Sequence, residues 1–101
     1  MIDDKFEWHD TKAEANAKAH GITFEDTCKV FADANAIWDE DLDSSWNEDR
    51  FRVIGQVYDR IVFVSYAYRE DEDGEEVIRL ISARPATKRE RNDYYNRQAS
   101  A

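Results

Sequence analysis

Apolar and polar residues alternate most regularly between residues 50 and 84, in three runs separated by short polar segments. In Arg50–Tyr58, strand periodicity puts Phe51, Val53 and Val57 on one face and Arg50, Arg52, Ile54 and Tyr58 on the other. Ile61–Tyr68 is rich in β-branched and aromatic residues, and Asp59-Arg60 between the two runs reads as a two-residue turn. A charged turn, Glu70-Asp71-Glu72-Asp73-Gly74, leads into a third strand from Glu76 to Arg84. Three consecutive strands of this kind predict an antiparallel meander.

Before residue 50 the spacing changes. Phe6-Glu7-Trp8 reads as a short strand. Asp10 is placed to cap an alanine-rich helix over Thr11–His20, which Gly21 closes. Thr23-Phe24-Glu25-Asp26 has the form of a capping box and opens a second helix ending near Ala32 or Asp33, with Phe24, Thr27 or Cys28, and Phe31 facing the core. Ala36–Asp39 is a further short strand, followed by a polar loop from Glu40 to Asp49. Beyond the meander, Pro85 ends the strand pattern, and Thr87 with Glu90 forms a second capping box for a helix reaching about Arg97. The order predicts an α+β fold in one domain over residues 1–101: two N-terminal helices, an antiparallel β-meander sheet and a C-terminal helix.

Composition narrows the class of protein. A chain of 101 residues suffices for one modest core. Its start lacks a signal-peptide pattern, and no apolar run approaches the roughly 20 residues that span a bilayer, which predicts a cytoplasmic protein with no membrane partner. The single cysteine, Cys28, excludes an internal disulfide, and its apolar helical setting suits a core thiol. The net charge of −9 argues against a simple nucleic-acid binder. The charge is unevenly spread, however. From Arg79 onward six basic residues (Arg79, Arg84, Lys88, Arg89, Arg91, Arg97) face two acidic ones (Glu90, Asp93), a net of +4. That leaves 8 of the 14 basic and 21 of the 23 acidic residues upstream, a net of −13. A basic C-terminal segment on an acidic body points to a local anionic ligand.

Several of these phrases together resemble the BrnT toxin family. They are Phe6-Glu7-Trp8-His9-Asp10 with Lys12, Asn16 and Lys18, His20-Gly21-Ile22-Thr23-Phe24-Glu25, Val30-Phe31, and Arg79-Leu80-Ile81-Ser82-Ala83-Arg84-Pro85-Ala86-Thr87 with Glu90 and Tyr94 or Tyr95. The resemblance implies a RelE-like fold and a ribonuclease that inhibits translation. It also implies neutralisation by a ribbon-helix-helix (BrnA-like) antitoxin, through which alone operator DNA would be contacted.

Metal-independent RNA cleavage needs a deprotonated 2′-OH, a stabilised pentacovalent phosphate and a protonated leaving oxygen. Arginine and lysine supply the charge, arginine with bidentate geometry. The candidate catalytic residues are therefore Arg84 at the strand end and Lys88, Arg91 and Tyr95, whose three- and four-residue spacing puts them on one helix face. The family phrase adds His20 as an acid–base candidate, beside the plainer role of closing a helix C-terminus. Candidate RNA-binding residues are Arg50, Arg52, Arg79 and Arg89. Arg79 and Arg84, an odd number of positions apart, belong on opposite sheet faces unless a bulge intervenes.

No cofactor and no metal is expected. The histidines and the cysteine are scattered, and the Asp39-x-Asp41-x-Asp43 run has Ser44 and Arg50 where a calcium loop needs Gly and Glu. That acidic run, with Trp38 and Trp46, instead suits the docking of a basic antitoxin or the shielding of the RNA site. The rival to an enzyme is a non-catalytic interaction module that keeps the fold and the antitoxin-binding surface; the acidic balance favours it.

Overall fold

The computed structural model describes residues 5–41 and 50–99. Strand β1 (Lys5–Glu7) leads into helix α1 (Asp10–His20). Helix α2 (Phe24–Thr27) runs on into a 3-10 turn at Cys28–Ala32. Strands β2 (Ile37–Asp41), β3 (Arg50–Val57), β4 (Arg60–Glu70) and β5 (Glu76–Pro85) follow, and helix α3 (Lys88–Ala99) closes the order. The strands form one sheet in the order β1-β5-β4-β3-β2. The architecture is α+β.

The expected meander is present as β3-β4-β5, all antiparallel, with β2 added antiparallel to β3. The sheet as a whole departs from the antiparallel expectation. β1 lies parallel to β5, pairing Lys5 with Val77, Phe6 with Ile78 and Glu7 with Arg79, so the sheet is mixed. A three-residue strand at the chain's start carries no signal of its direction. Its place is set by Phe6, which turns its ring onto Phe31 at 5.1 Å.

Local chemistry explains most element ends. Gly21 adopts the left-handed conformation (φ 68°) that terminates α1. The N-terminal boundary of α1 lies one residue earlier than expected: Asp10 is already helical, and His9 stands at the cap position without a side-chain cap bond. Thr23 Oγ1 accepts from the Asp26 amide at 3.1 Å and starts α2, but one α-turn is followed by the tighter 3-10 turn. The β3–β4 turn also differs from expectation. Val57 pairs with Arg60, so the turn residues are Tyr58 and Asp59, with Tyr58 at φ 55°. Arg60 is instead the first residue of β4, and its guanidinium donates to the carbonyls of Gly21 and His20. β2 extends through Asp41, so Glu40 and Asp41 continue the strand expected to end at Asp39 and do not belong to the loop; Asp43 and Trp46 lie outside the described residues.

The main core lies between one sheet face and the α1–α2 layer. Val30, Val53, Val62, Val64 and Ala83 are fully buried there, with Phe24 and Leu80. Val30 packs onto Gly55, where an added Cβ would stand 2.8 Å from its methyl carbon. Asn16, buried in this layer, acts as a short strand: its amide nitrogen donates to the Ala83 carbonyl at 2.8 Å, and its oxygen accepts from the Ala83 amide at 3.1 Å. It thereby satisfies the edge of β5 beyond the end of β1. The opposite sheet face is covered over part of its extent by α3, through Tyr94, Ala86 and Ile61 against Ile37 and Ile54.

Candidate functional site

The sheet face that α3 leaves partly open holds most of the predicted site. Residues paired across neighbouring strands share a face. Arg52 stands opposite Asp39 and Ser65, and Ile54 opposite Ile37 and Phe63; Arg50 is two residues from Arg52 and joins the same face. On β5, Arg84 stands opposite Phe63, Ser82 opposite Ser65, and Arg79 opposite Ala67. The register of β4 with β5 shifts between Ser65 and Tyr66, whose partners are Ser82 and Leu80, leaving Ile81 as the extra residue of a bulge. The bulge reverses the expectation from simple alternation: Arg79 and Arg84 lie on the same face. Arg50, Arg52, Arg79 and Arg84 thus converge, together with Arg69 of β4, which sequence reasoning missed because the apolar run there ends at Tyr68.

The arginines are held by carboxylates. Arg84 sits with its guanidinium carbon 4.0 Å from the Phe63 ring centre and grips both oxygens of Glu90 at 2.8 and 3.0 Å. Glu90 also accepts from the Thr87 amide at 2.8 Å while Thr87 Oγ1 accepts from the Glu90 amide, a complete capping box. One carboxylate therefore fixes both the start of α3 and the aim of Arg84. The Arg84 hydrogen bonds hold the Glu90 carboxyl below the usual carboxylate range. Arg52 pairs with Asp39 at 3.1 Å, and Arg69 binds Glu7 with two bonds of 2.6 and 2.7 Å, which also lower the Glu7 carboxyl. Glu90 was legible only as a cap; its second role depends on how β5 turns into α3.

Between α3 and the sheet runs a groove of about 450 Å³, lined by Ile37, Ile54 and Phe63 below and by Arg52, Arg89 and Asp93 among its polar rim. Arg89 thus faces the same side as the sheet arginines. Lys88, Arg91 and Tyr95 do not line the groove, although they share a helix face as expected. Arg91 donates to the Ala86 carbonyl at 2.8 Å and braces the β5–α3 connection. Lys88 is exposed, and Tyr95 is exposed with its ring set edge-on to Tyr94. His20 ends α1 in the layer across the sheet, on the side opposite Arg84. Cys28 is half-buried, and burial pushes its thiol upward, away from the thiolate form a nucleophile requires. Trp38 is half-exposed at the end of an aromatic cluster with Phe31 and Tyr66.

Fold and site define an α+β protein that gathers arginines on one sheet face within an otherwise acidic chain. Residues 8–90 match the family described as "Ribonuclease toxin, BrnT, of type II toxin-antitoxin system". The chain belongs to this family, whose type II character implies an antitoxin partner. No curated protein matches the chain. Among the described residues no helix is long and apolar enough to cross a membrane.

Proposed function

We propose that the chain is an endoribonuclease toxin with a RelE-like fold that binds RNA across the open sheet face and cleaves it without a metal, thereby inhibiting translation. The observation that carries this reading is the Ile81 bulge, which aligns Arg79 and Arg84 with Arg50 and Arg52. Cleavage by the RNA's own 2′-OH needs no external nucleophile, only proton transfer and stabilisation of the phosphorane charge. Arg84 is best suited to stabilising that charge, as a rigid planar fork fixed by Phe63 below and Glu90 beside it. A phosphate would share the Arg84 guanidinium with Glu90, which the Thr87 amide keeps in its capping position. Arg50, Arg52, Arg79 and Arg89 position the strand, and Lys88, Arg91 and Tyr95 extend the basic surface along α3. His20 has no catalytic part in this scheme, since the sheet separates it from Arg84. The partner is a ribbon-helix-helix antitoxin, with operator DNA bound by the antitoxin alone, and the complex works in the cytoplasm.

One observation favours the rival, a non-catalytic interaction module. Arg52, Arg69 and Arg84 are each neutralised by a carboxylate of the same chain. The two readings are separated by expressing the chain alone in bacteria and incubating the purified protein with RNA in EDTA. Growth arrest and metal-free cleavage, both abolished by Arg84→Ala, support the enzyme. A harmless wild type that leaves RNA intact overturns it.

A further inference from the structure

Resting on the ribonuclease reading, we propose that the groove between α3 and the β2–β3–β4 face takes a guanine base and directs cleavage to guanosine. Its volume of about 450 Å³ falls in the range of small-molecule sites, roughly 300–1,000 Å³. Ile37, Ile54 and Phe63 offer an apolar floor to the flat faces of a base. The rim combines two guanidinium groups, Arg52 and Arg89, with carboxylates, and this mixture discriminates among bases.

A carboxylate only accepts hydrogen bonds. Guanine alone among the four RNA bases presents two adjacent donors, N1–H and N2–H, that match its two oxygens. Guanine also presents the O6/N7 acceptor pair that an arginine fork fits. Adenine and cytosine each offer one amino group, and uracil one ring N–H.

The carboxylate that can receive these donors is identifiable. Both Glu90 oxygens are held by Arg84 and by the Thr87 amide, and Asp39 pairs with Arg52. Asp93 lines the groove one helical turn beyond Arg89, exposed and in no ion pair among the described residues. Asp93 therefore reads the Watson–Crick edge, with Arg89 on the opposite edge. The floor residue Phe63 carries the Arg84 guanidinium on its ring, so the groove opens beside the arginine proposed to hold the phosphate.

The test has two arms on the full chain. In the first, guanosine, adenosine, cytidine and uridine 3′-monophosphates are titrated and followed by NMR. Guanosine 3′-monophosphate should bind about tenfold tighter than the other three, as one bidentate base contact implies. Asp93→Asn should remove most of that preference while circular dichroism shows the fold unchanged. In the second arm, cleavage sites are mapped on RNA of mixed sequence, where the wild type should cut beside guanosine and Asp93→Asn should relax the choice. Selective guanosine binding without cleavage would support the groove and overturn the ribonuclease. Cleavage with no base preference would do the reverse. If no nucleotide binds and Asp93→Asn leaves the cleavage sites unchanged, the proposal is wrong.

Discussion

Among single residues, a few side chains serve two structures at once, and the fold depends on them. Glu90 caps α3 and holds Arg84. Because its folded carboxyl is depressed, this interaction contributes stability above the unfolded carboxylate range and loses it as pH falls through the lower folded value. Glu90→Gln, which keeps the cap but loses the charged partner of Arg84, should therefore lower stability by about 1–2 kcal/mol near neutral pH, the scale of a hydrogen bond to a charged group. The gap from wild type should close only as pH falls through the lowered folded value of Glu90, below the ordinary carboxylate range, where its carboxyl is protonated in the folded and the unfolded chain alike. Denaturant midpoints measured from pH 3 to 7 check this; a constant gap would show that charge is not involved. Asn16 has a different kind of leverage. Asn16→Ala strips the Ala83 amide and carbonyl of their buried partners and should cost about 2–4 kcal/mol, measured by urea unfolding. Asn16 was visible in the sequence only as part of a family phrase. Its role as a surrogate strand requires knowing that β1 stops at Glu7.

For the helices and strands, periodicity and caps made much of the architecture readable. The two threonine caps, Gly21, the meander and the break at Pro85 each express a local preference that packing did not override. What escaped were features decided by pairing partners. Alternation along β5 cannot reveal a bulge, because the extra residue, Ile81, is as strand-compatible as its neighbours; the consequence was a wrong face for Arg79 relative to Arg84. The direction of β1 and the one-residue displacement of the β3–β4 turn have the same origin. Gly55 belongs here too: it admits Val30 of the 3-10 turn against the strand, a contact that no pattern along β3 announces. Gly55→Ala should force Val30 aside and destabilise the protein by about 1–3 kcal/mol, with a matching drop in melting temperature. The candidate site was legible as residue types and only partly as a place. Four of the five arginines on the sheet face were foreseen, Arg69 being the exception, whereas the groove was not, since its walls come from four separate elements.

Across the molecule, a net charge of −9 coexists with a face that gathers five arginines. The acidic balance weakens long-range attraction to RNA, so binding must depend on short-range contacts at that face. RNA affinity should fall as salt rises, and Arg50→Gln or Arg79→Gln should each reduce the slope of log K against log salt by roughly 0.7, the single-strand value per phosphate contact. A slope unchanged by both would remove these residues from the interface. Whether RNA lies on the open sheet face can be read by NMR with a 2′-O-methylated oligonucleotide that cannot be cut. The amide signals of Arg52, Ser65, Arg79 and Ser82 should shift on titration while those of α1 and α2 stay in place. Shifts confined to the α1–α2 layer, with the sheet signals unmoved, would contradict it.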